Sequence, residues 1–367
     1  MKKVLFIGMT TNYGGVETYI LNLFLNIDKT KYECYFPKFN GKVAYYDVLK
    51  KEGAQFVELA FSRRNYIKYR KCWMDLLSKY KFDAIYFNTC DIVSIDKLKF
   101  AKKKNVPIRI VHAHNSGIQQ KVNIFHKISE KISRRNLGKY ATCYFACSQS
   151  AGDWMFDKHS YQVIHNGIDL LKYKFDVGKR NNVRSRYEIN EGKLVGCVGR
   201  LSPQKNPLFA EKIAEVVTKL DSDAMFVFVG DGELANQVKD IVKEKNLEDK
   251  IIFAGVVDNV NEWMSALDCL VMPSLFEGLP FVLVEAQAAG LPCVVSSTVS
   301  KEANITGLLQ FIDLDSSEKV WGETILKACR NDRKDYLNQL VAAGYSIENT
   351  AKEVCEIIES VESLSDK

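Results

Sequence analysis

Short apolar runs alternate with helix-length amphipathic stretches along the whole chain. In the first half the runs Lys3–Ile7, Cys34–Phe36, Gln55–Leu59, Ala84–Asn88, Ile108–His112, Thr142–Ala146 and Tyr161–His165 read as strands. In the second half Leu194–Val198, Met225–Val229, Ile251–Phe253, Cys269–Met272 and Cys293–Ser296 do so. Periodic stretches such as Val16–Leu25 and Phe209–Leu220 predict helices between them, and Ile347–Leu364 predicts a last one. Strands separated by helices mean βαβ units, hence parallel sheets with helices on both faces. The pattern occurs twice. The chain therefore reads as α/β, with two Rossmann-like doubly wound parallel-sheet domains. The turn signal Asn166-Gly167 puts the junction within Asn166–Lys179. The expected division is residues 1–170, residues 171–345 and a C-terminal helix over 346–367 that returns to the first domain. No internal repeat with a period of 20–50 residues is visible.

Composition narrows this only by exclusion. With 367 residues, 47% hydrophobic and 26% charged, the chain suits two globular domains rather than a disordered or fibrous protein. No apolar run approaches the roughly 20 residues needed to span a bilayer. The apolar stretch Val4–Met9 is too short for a signal-peptide core and reads as a first buried strand. Ten cysteines occur singly, without zinc-site spacing, which suits reduced thiols in a cytoplasmic protein.

Charge adds an asymmetry. Residues 1–170 carry 28 Lys and Arg against 14 Asp and Glu, whereas the rest carry 23 against 31. A basic first half and an acidic second half suit different partners. The stretch Lys97–Lys139 has twelve basic residues and one acid, Glu130. Within it, Gln120–Tyr140 reads as a helix with Val122, Phe125, Ile128 and Ile132 on one face, flanked by Lys121, Lys127, Lys131, Arg134 and Arg135. Such a helix lies on an anionic membrane, packs its apolar face on the sheet, or does both in part. Arg63, Arg64, Lys68, Arg70 and Lys71 form a second basic cluster, suited to a lipid-linked phosphate. No nucleic-acid motif accompanies these charges.

Candidate chemistry lies in the loops beyond the strands, where open α/β sheets bind ligands. After Leu194–Val198 comes Gly199-Arg200-Leu201-Ser202-Pro203-Gln204-Lys205-Asn206-Pro207. Two cations beside a helix N-terminus suit a diphosphate. After Cys269–Met272, Glu277 stands in a loop, Pro280 starts a helix, and Glu285 lies one to two turns into it. A carboxylate accepts hydrogen bonds from paired hydroxyls, and open amides at Gly278 and beyond face an anion. A carboxylate for a sugar, amides for a phosphate and a second carboxylate for a ribose together fit a sugar nucleotide. Asp221-Ser222-Asp223 precedes a strand and reads as a turn. Asp313-Leu314-Asp315 follows a strand-like run outside the repeating units and is a weak metal candidate.

Glu277 and Glu285, with seven residues between them, resemble the signature of retaining glycosyltransferases of family 4, which have the GT-B fold of two such domains facing a cleft. Gly199–Pro207 looks like that family's diphosphate loop. Gly14-Gly15-Val16-Glu17 resembles its first glycine-rich loop, and Val163–Asp169 its interdomain segment, with His165 where Pro often stands. The resemblance covers nearly the whole chain and is strongest for bacterial enzymes of exopolysaccharide and capsule assembly. It implies that Arg200 and Lys205 hold the donor diphosphate and Glu277 the transferred sugar. It further implies that Gly278, Leu279, Pro280 and Phe281 line the sugar pocket, Glu285 binds the ribose, the loop at Val257 meets the base, and Gly15 approaches the diphosphate. A His after Ile108–His112 would face the sugar, and His114 suits this better than His112. The implied activity is metal-independent transfer of a hexose from a nucleotide diphosphate sugar, UDP-linked as is commonest in the family. The implied acceptor is a glycan or a polyprenyl-diphosphate-linked sugar, at the inner face of the plasma membrane. A nucleotide-sugar epimerase of the same fold and a non-catalytic partner subunit are the alternatives.

Overall fold

The computed structural model describes residues 1–39, 41, 43–117, 123–189, 191–277, 279–330 and 332–365, with side chains through residue 360. The chain forms two compact units, Met1–Gly167 with Ser346–Lys367, and Ile168–Tyr345. The first contains β1 (Lys2–Ile7), β2 (Tyr32–Phe39), β3 (Gln55–Leu59), β4 (Ala84–Thr89), β5 (Ile108–Ala113), β6 (Cys143–Ala146) and β7 (Gln162–Val163). The second contains β8 (Leu194–Val198), β9 (Met225–Val229), β10 (Ile251–Gly255), β11 (Cys269–Met272), β12 (Cys293–Ser296) and β13 (Leu309–Ile312). The sheet orders are β3-β2-β1-β4-β5-β6-β7 and β10-β9-β8-β11-β12-β13, and the paired strands are parallel. Each is a doubly wound sheet whose order reverses beside its first strand, at β1/β4 and at β8/β11.

Burial on both faces explains why the strands read as continuous apolar runs. In β9, Phe226 and Phe228 join one core cluster, with Ile213 and Trp321, while Val227 and Val229 join the other, with Leu283 and Trp263. In the first unit Trp73, Leu98, Met155 and Phe156 cover one face of the sheet. The C-terminal helix Ile347–Ser365 belongs to the first unit, where the Tyr32 hydroxyl donates to Glu359 Oε1 (3.1 Å) and Gln162 Nε2 to Glu353 Oε1 (2.6 Å). A close crossing explains Gly167: a Cβ there would lie 2.8 Å from Ile347 Cα.

Three expectations need correction. The run Tyr161–His165 contributes only the two-residue β7, an edge strand. The second sheet has a sixth strand, β13, paired with β12. Its polar Gln310 and short length hid it, so Asp313 follows an edge strand of the sheet rather than standing outside the repeating units. The stretch 120–140 forms a shorter helix, Ile124–Asn136, followed by a 3-10 turn at Leu137–Lys139, and Lys121 and Val122 lie outside the described residues.

Candidate active site

The carboxyl ends of β8 and β11 lie side by side at the switch point of the second sheet. Gly199, immediately after β8, has φ +144°. Its oxygen is the reason for a glycine after β9: a Cβ on Gly230 would lie 2.1 Å from the Gly199 oxygen. The loop then makes a 3-10 turn, Pro203–Lys205, and Asn206 adopts the left-handed conformation (φ 54°) before the helix Pro207–Leu220. This turn is laced to the β11 loop. Leu275 N donates to Gln204 O (2.8 Å) and Gln204 Nε2 to Phe276 O (3.1 Å). The lacing brings Lys205 Nζ within 2.6 Å of Glu277 Oε1. The contact is an ion pair without hydrogen-bond alignment, and Glu277 Oε1 is buried with no hydrogen bond of its own. Gly199, Arg200, Lys205, Met272, Pro273 and Ser274 line one pocket. The two cations expected on this loop are thus present, but each faces a carboxylate: Arg200 Nε lies 3.2 Å from Glu233 Oε2 on the open surface.

The helix Phe281–Ala288 begins after Pro280, with no side chain capping its first amides. Leu279 is buried, and it and Phe281 pack toward the core, so the backbone rather than these side chains is what this helix start can offer an anion. Gly278 lies outside the described residues. Glu285 sits in the second turn, and burial pushes its carboxyl up to about 7, while a hydrogen bond with Tyr173 and the nearby Lys172 charge pull the other way. Val257 follows β10, on the far side of β9 from β8.

In the first unit, Gly15 is the exposed first residue of the helix Gly15–Asn26. The Glu17 carboxylate turns back over Gly14, where a Cβ would lie 2.8 Å from Glu17 Oε2, and accepts from Thr10 Oγ1 (2.5 Å). His112 is fully buried in β5 and its Nδ1 meets the Tyr86 hydroxyl at 2.8 Å. His114 follows the strand, partly exposed, with Nε2 2.9 Å from Asn88 Oδ1. Burial lowers both imidazoles, His114 to about 3, so both are neutral. His112 is therefore a core residue, and His114 is the one at the strand's mouth.

Among the described residues no group of three or more His, Cys, Asp or Glu gathers as metal ligands would. Asp313 Oδ1 accepts a hydrogen bond from Ser297 Oγ, and Asp221 Oδ1 accepts from Asp223 N (3.1 Å) in an Asx-type turn. All ten cysteines are free thiols. Sequence reasoning missed Gln204, Glu233, Tyr173 and Asn88, which hold the candidate residues in place. Gln204 sat inside a motif already singled out. Glu233 ends the turn Gly230-Asp231-Gly232-Glu233 after β9, a weak signal alone, and Tyr173 and Asn88 carry no local signal, since each meets its partner from another element.

Two family models match: Glycosyltransferase Family 4 over residues 13–171, and Glycosyl transferases group 1 over residues 192–328. EpsF of Bacillus subtilis (strain 168), a protein named as a glycosyltransferase, is 29% identical over 353 residues, covering 93% of this chain and 92% of its own. A UDP-Gal:alpha-D-GlcNAc-diphosphoundecaprenol alpha-1,3-galactosyltransferase of Escherichia coli is 29% identical over 260 residues, 66% of each chain. Among solved structures, Anabaena HepE in complex with UDP superposes with a TM-score of 0.78 at 17% identity, over 98% of this chain and all (100%) of that one. The two matched segments fall on the two doubly wound units, and the chain belongs to the family 4 glycosyltransferases, with the GT-B fold.

Proposed function

We propose that this glycosyltransferase moves a hexose, with retention, from a UDP-linked sugar to a lipid-linked sugar acceptor in bacterial surface polysaccharide assembly. The observation that carries the reading is the lacing of the β8 and β11 loops, which sets Lys205 against Glu277 at the switch point. A donor diphosphate would take Lys205 and Arg200 from their carboxylates. The exchange costs little at Arg200, whose pair is exposed and worth about 0–1 kcal/mol. Glu277, released from Lys205, would accept from the sugar hydroxyls, Glu285 from the ribose, and the backbone at Val257 would meet the base. Gly278 to Phe281 would border the sugar, Gly15 would approach the diphosphate from the first unit, and His114 would face the sugar. Two cations and a helix N-terminus would stabilise the leaving diphosphate without a divalent metal. The named function of the Escherichia coli relative, which acts on a diphosphoundecaprenol-linked sugar, supports the acceptor class.

A screen of nucleotide sugars for release of UDP or GDP tests this reading. The expected result is UDP release from one UDP-hexose, with the donor's anomeric configuration kept in the product. GDP release alone would move the donor class, and an inverted product would refute retention. Epimerised sugar without transfer would favour the epimerase, and UDP binding without turnover the non-catalytic subunit.

The same reading places the chain on an anionic membrane through its basic first unit. Its support is the helix Ile124–Asn136, which is turned inside out. Ser129 and Ser133 donate to Val93 O (2.9 and 3.2 Å), and Arg134 pairs with Glu130 and donates to Trp154 O. Its apolar residues face solvent: Ile124 is 62% exposed, Phe125 78%, Ile128 49% and Ile132 56%. Packing of this stripe on the sheet, the simpler expectation, is thus overturned. Val93 lies three residues before Asp96, which pairs with Arg63, and beyond Arg63 stand exposed Tyr66 and Ile67. Lys127, Lys131 and Arg135 share the outer side of the helix. Apolar groups rimmed by cations fit the headgroup boundary of an anionic leaflet, at roughly 1 kcal/mol per nearby Lys or Arg. No described helix is long and apolar enough to cross a membrane. Co-sedimentation should occur with anionic vesicles and not with neutral ones. Changing Lys127, Lys131 and Arg135 together to Gln, or Phe125, Ile128 and Ile132 together to Ser, should reduce it without changing UDP affinity. Wild-type binding by both variants would remove the helix from the membrane contact.

A further inference from the structure

Ser274 is the second residue after β11 and is wholly buried, with 0% of its surface exposed. The chain around it is pinned from two other loops. The Ser274 carbonyl accepts from Ser296 Oγ (2.6 Å), at the end of β12, and from Thr298 Oγ1 (2.8 Å). The next two residues are held by Gln204, through Leu275 N and Phe276 O. The Ser274 hydroxyl takes no part in this pinning. It is buried and, among the described residues, has no hydrogen-bond partner. A buried hydroxyl is seldom left unmatched unless a water or a ligand completes it. Ser274 lines the same pocket as Gly199, Arg200 and Lys205. The cavity there is about 20 Å³, room for one oxygen-sized group. Cys197, also in the lining, already gives its thiol proton to Val271 O (3.1 Å).

No base hydrogen-bonds to the Ser274 hydroxyl, so it is not set up as a nucleophile. Beside Arg200 and Lys205 the matching ligand atom is an anionic oxygen, which would receive the hydroxyl proton. Lys205 in turn touches Glu277, three residues further along the loop that carries Ser274. In a nucleoside diphosphate sugar the distal phosphate bears the sugar. With the sugar at Glu277, an oxygen held between Lys205 and the start of this loop belongs to that phosphate.

We propose that the Ser274 hydroxyl donates a hydrogen bond to an oxygen of the donor's distal phosphate, and so lets the pocket distinguish a nucleoside diphosphate from a monophosphate. This contact rests on the reading that the pocket holds the donor diphosphate. It adds something the two cations do not supply. A cation on a long side chain attracts any phosphate, whereas a fixed hydroxyl on a one-oxygen cavity selects where one oxygen sits. The loop is pinned before the ligand arrives, so little ordering is needed to make the contact.

Calorimetry of the full chain with UDP, UMP and uridine tests this. The wild type should bind UDP more tightly than UMP. Ser274→Ala should weaken UDP by about tenfold or more, the scale of one hydrogen bond to a charged group, and leave UMP and uridine unchanged. Ser274→Cys nearly keeps the size of the side chain but offers only a weak donor, and should fall with the alanine variant. Unchanged UDP affinity in Ser274→Ala would overturn the proposal, and would mean that a water alone completes the hydroxyl. Equal losses of UDP and UMP, or wild-type UDP affinity in Ser274→Cys, would overturn it as well, since either result makes Ser274 a packing residue. The underlying reading fails separately: UDP bound by the wild type no more tightly than UMP, with Lys205→Met binding both as the wild type does, would remove the diphosphate from this pocket and the contact with it.

Discussion

Glu285 is a carboxyl that the fold holds against its own ionisation, and this has a measurable cost. Burial in the second turn of the Phe281–Ala288 helix raises it from an ordinary 4.5 to about 7. In the unfolded chain it ionises near 4.5. Between these two values the folded state binds the extra proton, so stability falls as pH rises through this window. Above about pH 8 the loss is complete. The 2.5-unit difference implied by those two values corresponds to about 3 kcal/mol at 1.36 kcal/mol per unit. Glu285→Gln is neutral at every pH and keeps an acceptor for Tyr173. It should match the wild type below pH 4.5 and exceed it by about 3 kcal/mol at pH 8. For a unit of this size that is roughly 6–12 °C in Tm. Thermal unfolding of both proteins from pH 4.5 to pH 8, without ligand, reads the difference. Parallel curves would refute the argument, because they would mean that Glu285 ionises in the fold as it does in water.

If Glu285 binds the ribose as proposed, the same residue couples pH to the donor. A ribose donating two hydroxyl protons prefers the ionised carboxylate, so UDP affinity should rise with pH as Glu285 ionises, by at most tenfold per unit below its pKa. The phosphate of UDP titrates in a similar range. The ratio of wild-type to Glu285→Gln affinity cancels that contribution, since both proteins meet the same ligand. Calorimetry at pH 5.5, 6.5 and 7.5 should show the ratio climbing toward the wild type. A flat ratio would detach Glu285 from the nucleotide and leave its burial a matter of folding alone.

Two shorter predictions concern the laced loops. Lys205→Met should lower kcat/KM by about 2–4 kcal/mol of transition-state stabilisation and weaken UDP, while Glu277→Gln should cut turnover and leave UDP affinity nearly intact; calorimetry that ranked the two variants the other way would reverse their assignments. Turnover should survive EDTA, and a loss restored by magnesium or manganese would return attention to Asp313 and Asp315.

What was legible in the sequence is what local chemistry decides. Gly199 followed by Arg200 and Lys205, and Pro280 ahead of Glu285, are short-range signals. They place a turn, a helix start and the charges between them, whatever else the chain does. The doubly wound order is legible for a related reason: strands buried on both faces, as in Phe226–Val229, cannot look like anything but continuous apolar runs. β13 escaped because an edge strand of four residues needs no such run.

Direction is what periodicity leaves out. The residues of the Ile124–Asn136 helix show a stripe, and a stripe says that one face is apolar without saying which face meets the protein. That is settled by Ser129 and Ser133, whose hydroxyls reach a carbonyl at Val93, 36 and 40 residues earlier in the chain. Charge state is left out in the same way. Glu285 reads as a surface helix residue until Tyr173 and the surrounding core exclude water from it. Lys205 and Glu277 read as free charges until Gln204 reaches the Phe276 carbonyl, 72 residues away, and sets them face to face. In each case the decisive contact is a polar one between distant segments. Such contacts also set whether a group is charged, neutral or poised for exchange, so the part of this protein hardest to read from its sequence is the part on which its chemistry depends.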